Sequence, residues 1–296
     1  MKLTKCTSRW LLFFATAFFF SSASAGVAPN DQWLLKFATA AYESDANFVQ
    51  TTGVPHSSLF LHTFERISDD PHVKIYSNFR FSPGEANSCV VAWRGTASML
   101  DAFRDGQAQF GRPARIPNWW GGTWEGAYGF VQRLNHYSDD VINILETPRC
   151  AGNIYITGHS LGAALAQVHG VQLMTHPRLA ARLKQIVGWN SPQVVSLAVQ
   201  QNFGAYAEAV HGLAIYNRSR DEIVNHVPTG LVRLLPHNDR GLNGVTFTGR
   251  DLVPVDILPG GGRWINAYGP GAYNHTATHW VREFSPGTPG GPAVPR

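Results

Sequence analysis

Ile154-Tyr155-Ile156-Thr157-Gly158-His159-Ser160-Leu161-Gly162-Ala163-Ala164-Leu165-Ala166 carries a β-branched and aromatic run into Gly-His-Ser-Leu-Gly and then into an alanine-rich stretch. The pattern predicts a strand, a sharp turn and a helix, which is the setting in which G-x-S-x-G acts as a nucleophile elbow. Such a turn forces Ser160 into a strained backbone geometry, and Gly158 and Gly162 remove the side chains that would collide there. The serine then stands at the mouth of the helix, where the N–H of Leu161 points at a developing oxyanion. The competing reading is a glycine-rich connection whose serine only caps the helix.

On either side of this stretch the apolar pattern alternates between strand and helix. Asp31 to Tyr42 has apolar residues at helical spacing (Trp33, Leu34, Phe37, Ala38, Ala41) behind an Asn30/Asp31 cap signal. Val73 to Phe81 alternates like a strand, and Val90 to Trp93 is a continuous buried-strand run. Phe130 to Leu145 reads as a long amphipathic helix, and Leu179 to Leu183 as a short one. Ile186 to Trp189 and Leu213 to Tyr216 complete the set as short buried strands. The expected fold is α/β: a central, mostly parallel sheet with helices on both faces and catalytic groups at the carboxyl ends of the strands.

The first 25 residues read as a secretory signal peptide. Lys2, Lys5 and Arg9 precede an apolar core from Trp10 to Phe20 and an Ala23-Ser24-Ala25 cleavage site. That core is too short to span a bilayer, and no later segment approaches the length needed, so an exported protein without a transmembrane segment is expected. Removal of the signal lowers the formal net charge from +4 to +1. No clustered Lys/Arg face remains to suggest nucleic acid. Residues 26–284 show no linker or repeat and read as one domain, whereas residues 285–296 (S-P-G-T-P-G-G-P-A-V-P-R) read as a disordered Pro/Gly-rich tail. Cys6 leaves with the signal. Cys89, at the start of the Val90–Trp93 strand, and Cys150, just before the Ile154–Thr157 strand, then lie at one end of the sheet if those strands are parallel neighbours. One disulfide is expected, with two separate buried thiols as the alternative.

A serine nucleophile needs a base to take its proton and an acid to orient the base, in the chain order Ser, Asp/Glu, His. Past residue 221 only His226, His237, His275 and His279 remain. Here four segments, in order, resemble the fungal-type (class 3) lipases of the α/β-hydrolase fold. Val91-Ala92-Trp93-Arg94-Gly95-Thr96 is similar to that family's strand-end R-G-T/S, and Gly158 to Ala166 to its G-H-S-L-G-x-A-L-A elbow. Asn190-Ser191-Pro192-Gln193-Val194 resembles its G-S-P-R-V, and Ile215 to Pro228 its acid-bearing D-x-V-P-x-L-P loop. With Asn274-His275-Thr276-Ala277-Thr278-His279-Trp280, which resembles H-S-x-x-x-Y, the likeness spans roughly residues 73–280.

The resemblance implies that the backbone N–H groups of Thr96 and Leu161 form an oxyanion hole and that His275 is the base, with His279 as alternate. For the acid, residue type favours Asp221, while ungapped spacing back from Pro228 favours Glu222. His159 is expected to pack locally. Asn217 and Asn274 head glycosylation sequons. Ala97 to Asp105 has the amphipathic character of a lid, but the family's H-x-G-F appears only as Glu125-Gly126-Ala127-Tyr128. Trp119, Trp120 and Trp124 in a glycine-rich loop read equally as an exposed lipid- or sugar-facing surface or as core aromatics. The implied activity is hydrolysis of a lipid or other ester by a secreted serine hydrolase, most simply a triacylglycerol lipase. A phospholipase or feruloyl-type esterase would use the same machinery, and a non-catalytic lipid- or carbohydrate-binding homologue is the other class. No motif calls for a cofactor or metal.

Overall fold

Alternate residues of the strands face opposite ways, and each face is apolar, so the sheet must be covered on both sides. In a computed structural model that describes residues 29–42, 60–65, 71–79, 85–95, 112–216, 231, 232 and 234, this is the arrangement found. The main sheet contains β1 (Phe60–Glu65), β2 (Pro71–Phe79), β3 (Ser88–Trp93), β6 (Ile154–His159), β7 (Leu183–Trp189) and β8 (Ala214–Tyr216) in spatial order β1-β2-β3-β6-β7-β8. β1, β2 and β3 pair antiparallel, and β3, β6, β7 and β8 pair parallel. A separate hairpin is formed by β4 (Pro113–Arg115) and β5 (Glu125–Ala127).

The two faces have separate cores. Tyr76, Val90, Ala92, Tyr155, Val187 and Trp189 pack beneath helix α1 (Pro29–Ala40), while Val73, Ile75, Val91, Trp93, Ile154 and Ile156 pack beneath α2 (Tyr128–Leu145) and α3 (Leu161–Thr175). All fifteen residues of α3 are buried, as expected of a helix apolar around its whole circumference. Its polar side chains have partners: Gln172 donates to Ser138 Oγ at 2.9 Å, and Trp93 Nε1 donates to His169 Nδ1 at 3.1 Å. Burial pushes the His169 imidazole down to about 3, so it is the neutral ring that accepts the indole N–H.

The disulfide expected from strand adjacency is present. Cys89 pairs in register with Ile154 on the parallel neighbour, and Cys89 and Cys150 are bonded with their Cα atoms 5.3 Å apart. Other expectations are corrected. Leu179 to Leu183 is not a helix: only a 3-10 turn forms at Ala180–Arg182, because Leu183 already pairs with Ile154 in the sheet. β7 therefore begins at Leu183, three residues before the sequence pattern suggested.

The sequence reading had also missed Leu197 to His211, which forms α4 (Leu197–Val199), a π-helical turn (Gln200–Gly204) and α5 (Ala205–His211). Its buried side chains Val199, Phe203, Ala207 and His211 recur every four positions, with Gly204 buried beside Phe203. An α-helix would rotate that stripe off the core; the wider π turn takes up the difference. The signal sequence, the lid stretch, both sequons and the tail lie outside the described residues.

Candidate active site

The site is built where β6 turns into α3. Ser160 has φ 60° and ψ −125°, a left-handed conformation unusual for a residue with a Cβ. Close packing holds it there. A Cβ on Gly158 would lie 2.2 Å from Gly162 O, and one on Gly162 would lie 2.1 Å from Trp93 O. Both obstacles are main-chain atoms, so neither can swing aside. The Ser160 amide donates to Trp189 O at 2.8 Å, which ties the turn to the adjacent strand end. The Ser160 carbonyl accepts from Ala163 and Ala164, so the residue is the N-cap of α3. First-turn amides of a helix have no intrahelical acceptor, and the N-terminus carries a partial positive charge. Leu161 is the first residue of α3, so its amide is one of these.

The carboxyl end of β3 lies beside this turn, and a residue that sequence reasoning did not single out holds the two together. Tyr42, just beyond α1, accepts the Gly95 N–H at 3.0 Å and donates to His159 O at 3.1 Å. The hydroxyl thus bridges the residue before Thr96 and the residue before Ser160. A Cβ on Gly95 would fall 2.2 Å from that oxygen. Burial pushes the phenol well above its ordinary range, against the smaller opposing effects of the Gly95 N–H and the Arg94 charge, so it remains a neutral hydroxyl. The Arg94 guanidinium lies over the Tyr42 ring at 5.6 Å. The His159 ring packs edge-on against the same tyrosine with Nδ1 3.3 Å from its hydroxyl, the local role expected of it.

The two sides of the stretch expected to bear the acid are also anchored to this turn and helix. Before it, the Tyr216 ring stacks on Trp189 at 4.6 Å, its carbonyl accepts from the Asn190 amide at 2.7 Å, and its hydroxyl donates to Asp31 at 2.5 Å. Beyond it, Val232 pairs with Val195, and the Leu234 amide donates to Gln167 Oε1 at 2.7 Å. Gln167 also donates to Ser191 Oγ, so one buried amide on α3 binds two segments distant in sequence. Its position two turns below Ser160, inside an alanine-rich helix, gave no hint of this.

Of the residues predicted for the site, the structure describes Ser160, Leu161 and the disulfide pair. Thr96, Asp221, Glu222, His275 and His279 lie outside the described residues. Among the described residues no cluster of His, Cys, Asp and Glu is placed to hold a metal ion, and no helix is long and apolar enough to cross a membrane. The tryptophan loop divides between its two readings: Trp124 packs against the core, while Trp119 and Trp120 are exposed.

A sequence profile described as "Lipase (class 3)" matches residues 90–231, a span that runs from β3 through the elbow and past β8. Over that span, just under half of the chain, the protein is similar to the class 3 lipases, which supports a carboxylic-ester hydrolase. Solved structures of lipases share the fold. Lipase II from Rhizopus niveus is 21% identical with a TM-score of 0.51, over 70% of this chain and 78% of that one. The N225Q mutant of MDLA from Penicillium cyclopium is 16% identical with a TM-score of 0.52, over 71% and 79%. A structure described as a fungal lipase is 18% identical with a TM-score of 0.53, over 71% and 79%. No curated protein sequence matches the chain significantly. The α/β-hydrolase fold expected from the elbow is the fold found.

Proposed function

We propose that the protein is an exported triacylglycerol lipase that works through an acyl-enzyme on Ser160, with His275 as general base and Asp221 as the acid that orients it. The observation that carries the proposal is the left-handed Ser160 at the N-terminus of α3, locked between Gly158 and Gly162. In this reading His275 takes the hydroxyl proton as Ser160 attacks the ester carbonyl, and the amides of Leu161 and Thr96 bind the oxyanion. The tetrahedral intermediate collapses to release the alcohol, which takes the proton from His275. Water, deprotonated by the same histidine, then releases the acid and restores Ser160. Glu222 and His279 are the alternates for the acid and base.

The match to the class 3 lipase profile supports a lipid ester as substrate. A neighbouring structure, 17% identical with a TM-score of 0.50, is of a triacylglycerol lipase whose catalytic centre is a serine protease triad. Export is supported by the N-terminal pattern together with the Cys89–Cys150 bond, since disulfides persist in oxidising compartments.

The test is hydrolysis of soluble short-chain and emulsified long-chain glycerides by the wild type and by single alanine variants of Ser160, Asp221, Glu222, His275 and His279. Ser160→Ala is expected to lower kcat by about 10⁴-fold or more. Only one carboxylate and one histidine are expected to show a comparable loss. Retention of turnover by Ser160→Ala removes the proposal. Hydrolysis confined to soluble esters removes its lipase half and keeps the serine mechanism.

A further inference from the structure

At the opposite end of α3 from Ser160 the chain displays aromatic rings. The β4–β5 hairpin bends back through Gly121 and Gly122, both left-handed at φ 77° and 83°, and Trp124 Nε1 donates to Gly121 O at 2.9 Å to hold the bend. The bend leaves Trp119 46% and Trp120 58% exposed. Neither ring dangles. Trp120 stacks on buried Phe203 of the π turn at 5.4 Å and 19°, and Tyr206, itself 38% exposed, meets it edge-on at 6.1 Å. Trp119 rests against His176 at 4.2 Å, and its amide donates to Thr175 Oγ1 at 3.2 Å. With one face of Trp120 on Phe203, its other face is the exposed one.

We propose that Trp119, Trp120 and Tyr206 form a platform that binds a neutral polysaccharide chain. Three observations select this occupant. The two segments that carry the rings, residues 116–124 and 196–207, are free of charged side chains, and their polar residues are amides and hydroxyls such as Thr123, Gln201 and Asn202. A pyranose offers the matching chemistry, with apolar C–H faces to lie on indole and phenol rings and hydroxyl edges for amides. An anionic membrane surface calls for Lys or Arg, which these segments lack. Position argues the same way. The fifteen residues of α3 put Thr175 about 21 Å from the Ser160 end. The platform thus lies toward the amino ends of the strands, and a lipid surface seated on it would face away from the serine. Finally, the rings are held in place before any ligand arrives, which lowers the ordering cost of binding.

The platform would keep the enzyme on a sugar-coated or fibrous matrix while leaving the carboxyl-end face free. It is independent of the chemistry at Ser160. The experiment is native affinity electrophoresis of the mature protein in gels containing hydroxyethylcellulose, arabinoxylan or galactomannan, beside Ser160→Ala, Trp119→Ala, Trp120→Ala and Tyr206→Ala. Wild type and Ser160→Ala are expected to be retarded equally by at least one polymer, with about fivefold weaker retardation for Trp119→Ala and Tyr206→Ala. Turnover of a soluble short-chain ester monitors folding, because Trp120→Ala uncovers Phe203. The proposal is overturned if no polymer retards the wild type or if the aromatic variants migrate like it. It is also overturned if these variants lose binding only to phosphatidylcholine vesicles, or if their sole change is in oligomeric state.

Discussion

The two ends of α3 use glycine for opposite reasons. At the elbow, Gly158 and Gly162 are required by crowding, since an added Cβ would meet main-chain atoms 2.2 and 2.1 Å away. At the hairpin near the far end, a Cβ on Gly121 would meet nothing within 4 Å, yet its φ of 77° disfavours any other residue. The first end stores a strained serine inside a packed frame, and the second turns a loop outward to show tryptophans. Changes at the elbow should therefore damage chemistry, whereas changes toward the far end should alter stability and leave chemistry intact.

The largest effect is expected from Gly162→Ala. Its methyl group forces α3 and β3 apart beside Ser160, and a displacement near 1 Å at a reacting group costs about 100-fold in rate. Ester hydrolysis by a folded Gly162→Ala variant should fall at least that far; wild-type turnover would break the comparison. Next comes the disulfide at the amino ends of the strands. Replacing Cys89 and Cys150 by serine releases a crosslink across 61 residues, worth about 4 kcal/mol in the chain-entropy account. Denaturant unfolding should show most of that loss, with kcat unchanged at temperatures where the variant stays folded.

A smaller effect belongs to His169, midway along α3. Its folded-state value of about 3 lies below the ordinary 6.5, so between these values the unfolded chain binds more protons. The stability due to this ring is complete above pH 6.5 and drains as the pH falls toward 3, by up to a few kcal/mol. His169→Gln keeps an acceptor for Trp93, and its stability should decline less steeply over that window. Identical slopes would show that the ring does not titrate on unfolding. The smallest change is expected from Gly121→Ala, which places a Cβ at positive φ at a cost of about 1–2 kcal/mol. Thermal unfolding should register it while soluble-ester turnover does not move.

Much of the fold was legible because it repeats at short range. Continuous apolar runs at Val90–Trp93 and Ile154–Thr157 mark strands buried on both faces, and their adjacency was enough to pair Cys89 with Cys150. The helix over Leu197–His211 was not legible, because a period of four broken by Gln-Gln-Asn-Phe-Gly matches neither the α-helical nor the strand template until a π turn is allowed. Leu179–Leu183 misled for the opposite reason: its local preference is helical, and pairing of Leu183 in the sheet overrides it.

The sequence by itself determined the elbow. Its pattern is local, with Gly158, Ser160 and Gly162 within four residues of one another between a strand-forming and a helix-forming run, so the turn could be read without knowing that Gly162 also packs on Trp93 O. Only the tertiary structure decided what holds that elbow in place: Tyr42, 117 residues from His159, and Gln167, 67 residues from Leu234. It also decided that Trp124 is partly buried against the core while Trp119 and Trp120 are exposed, although all three sit in one short loop. Neither fact has a local signal. A hydroxyl or an indole acquires its role from whatever the packing of distant segments brings to it, and that packing is set by the whole chain.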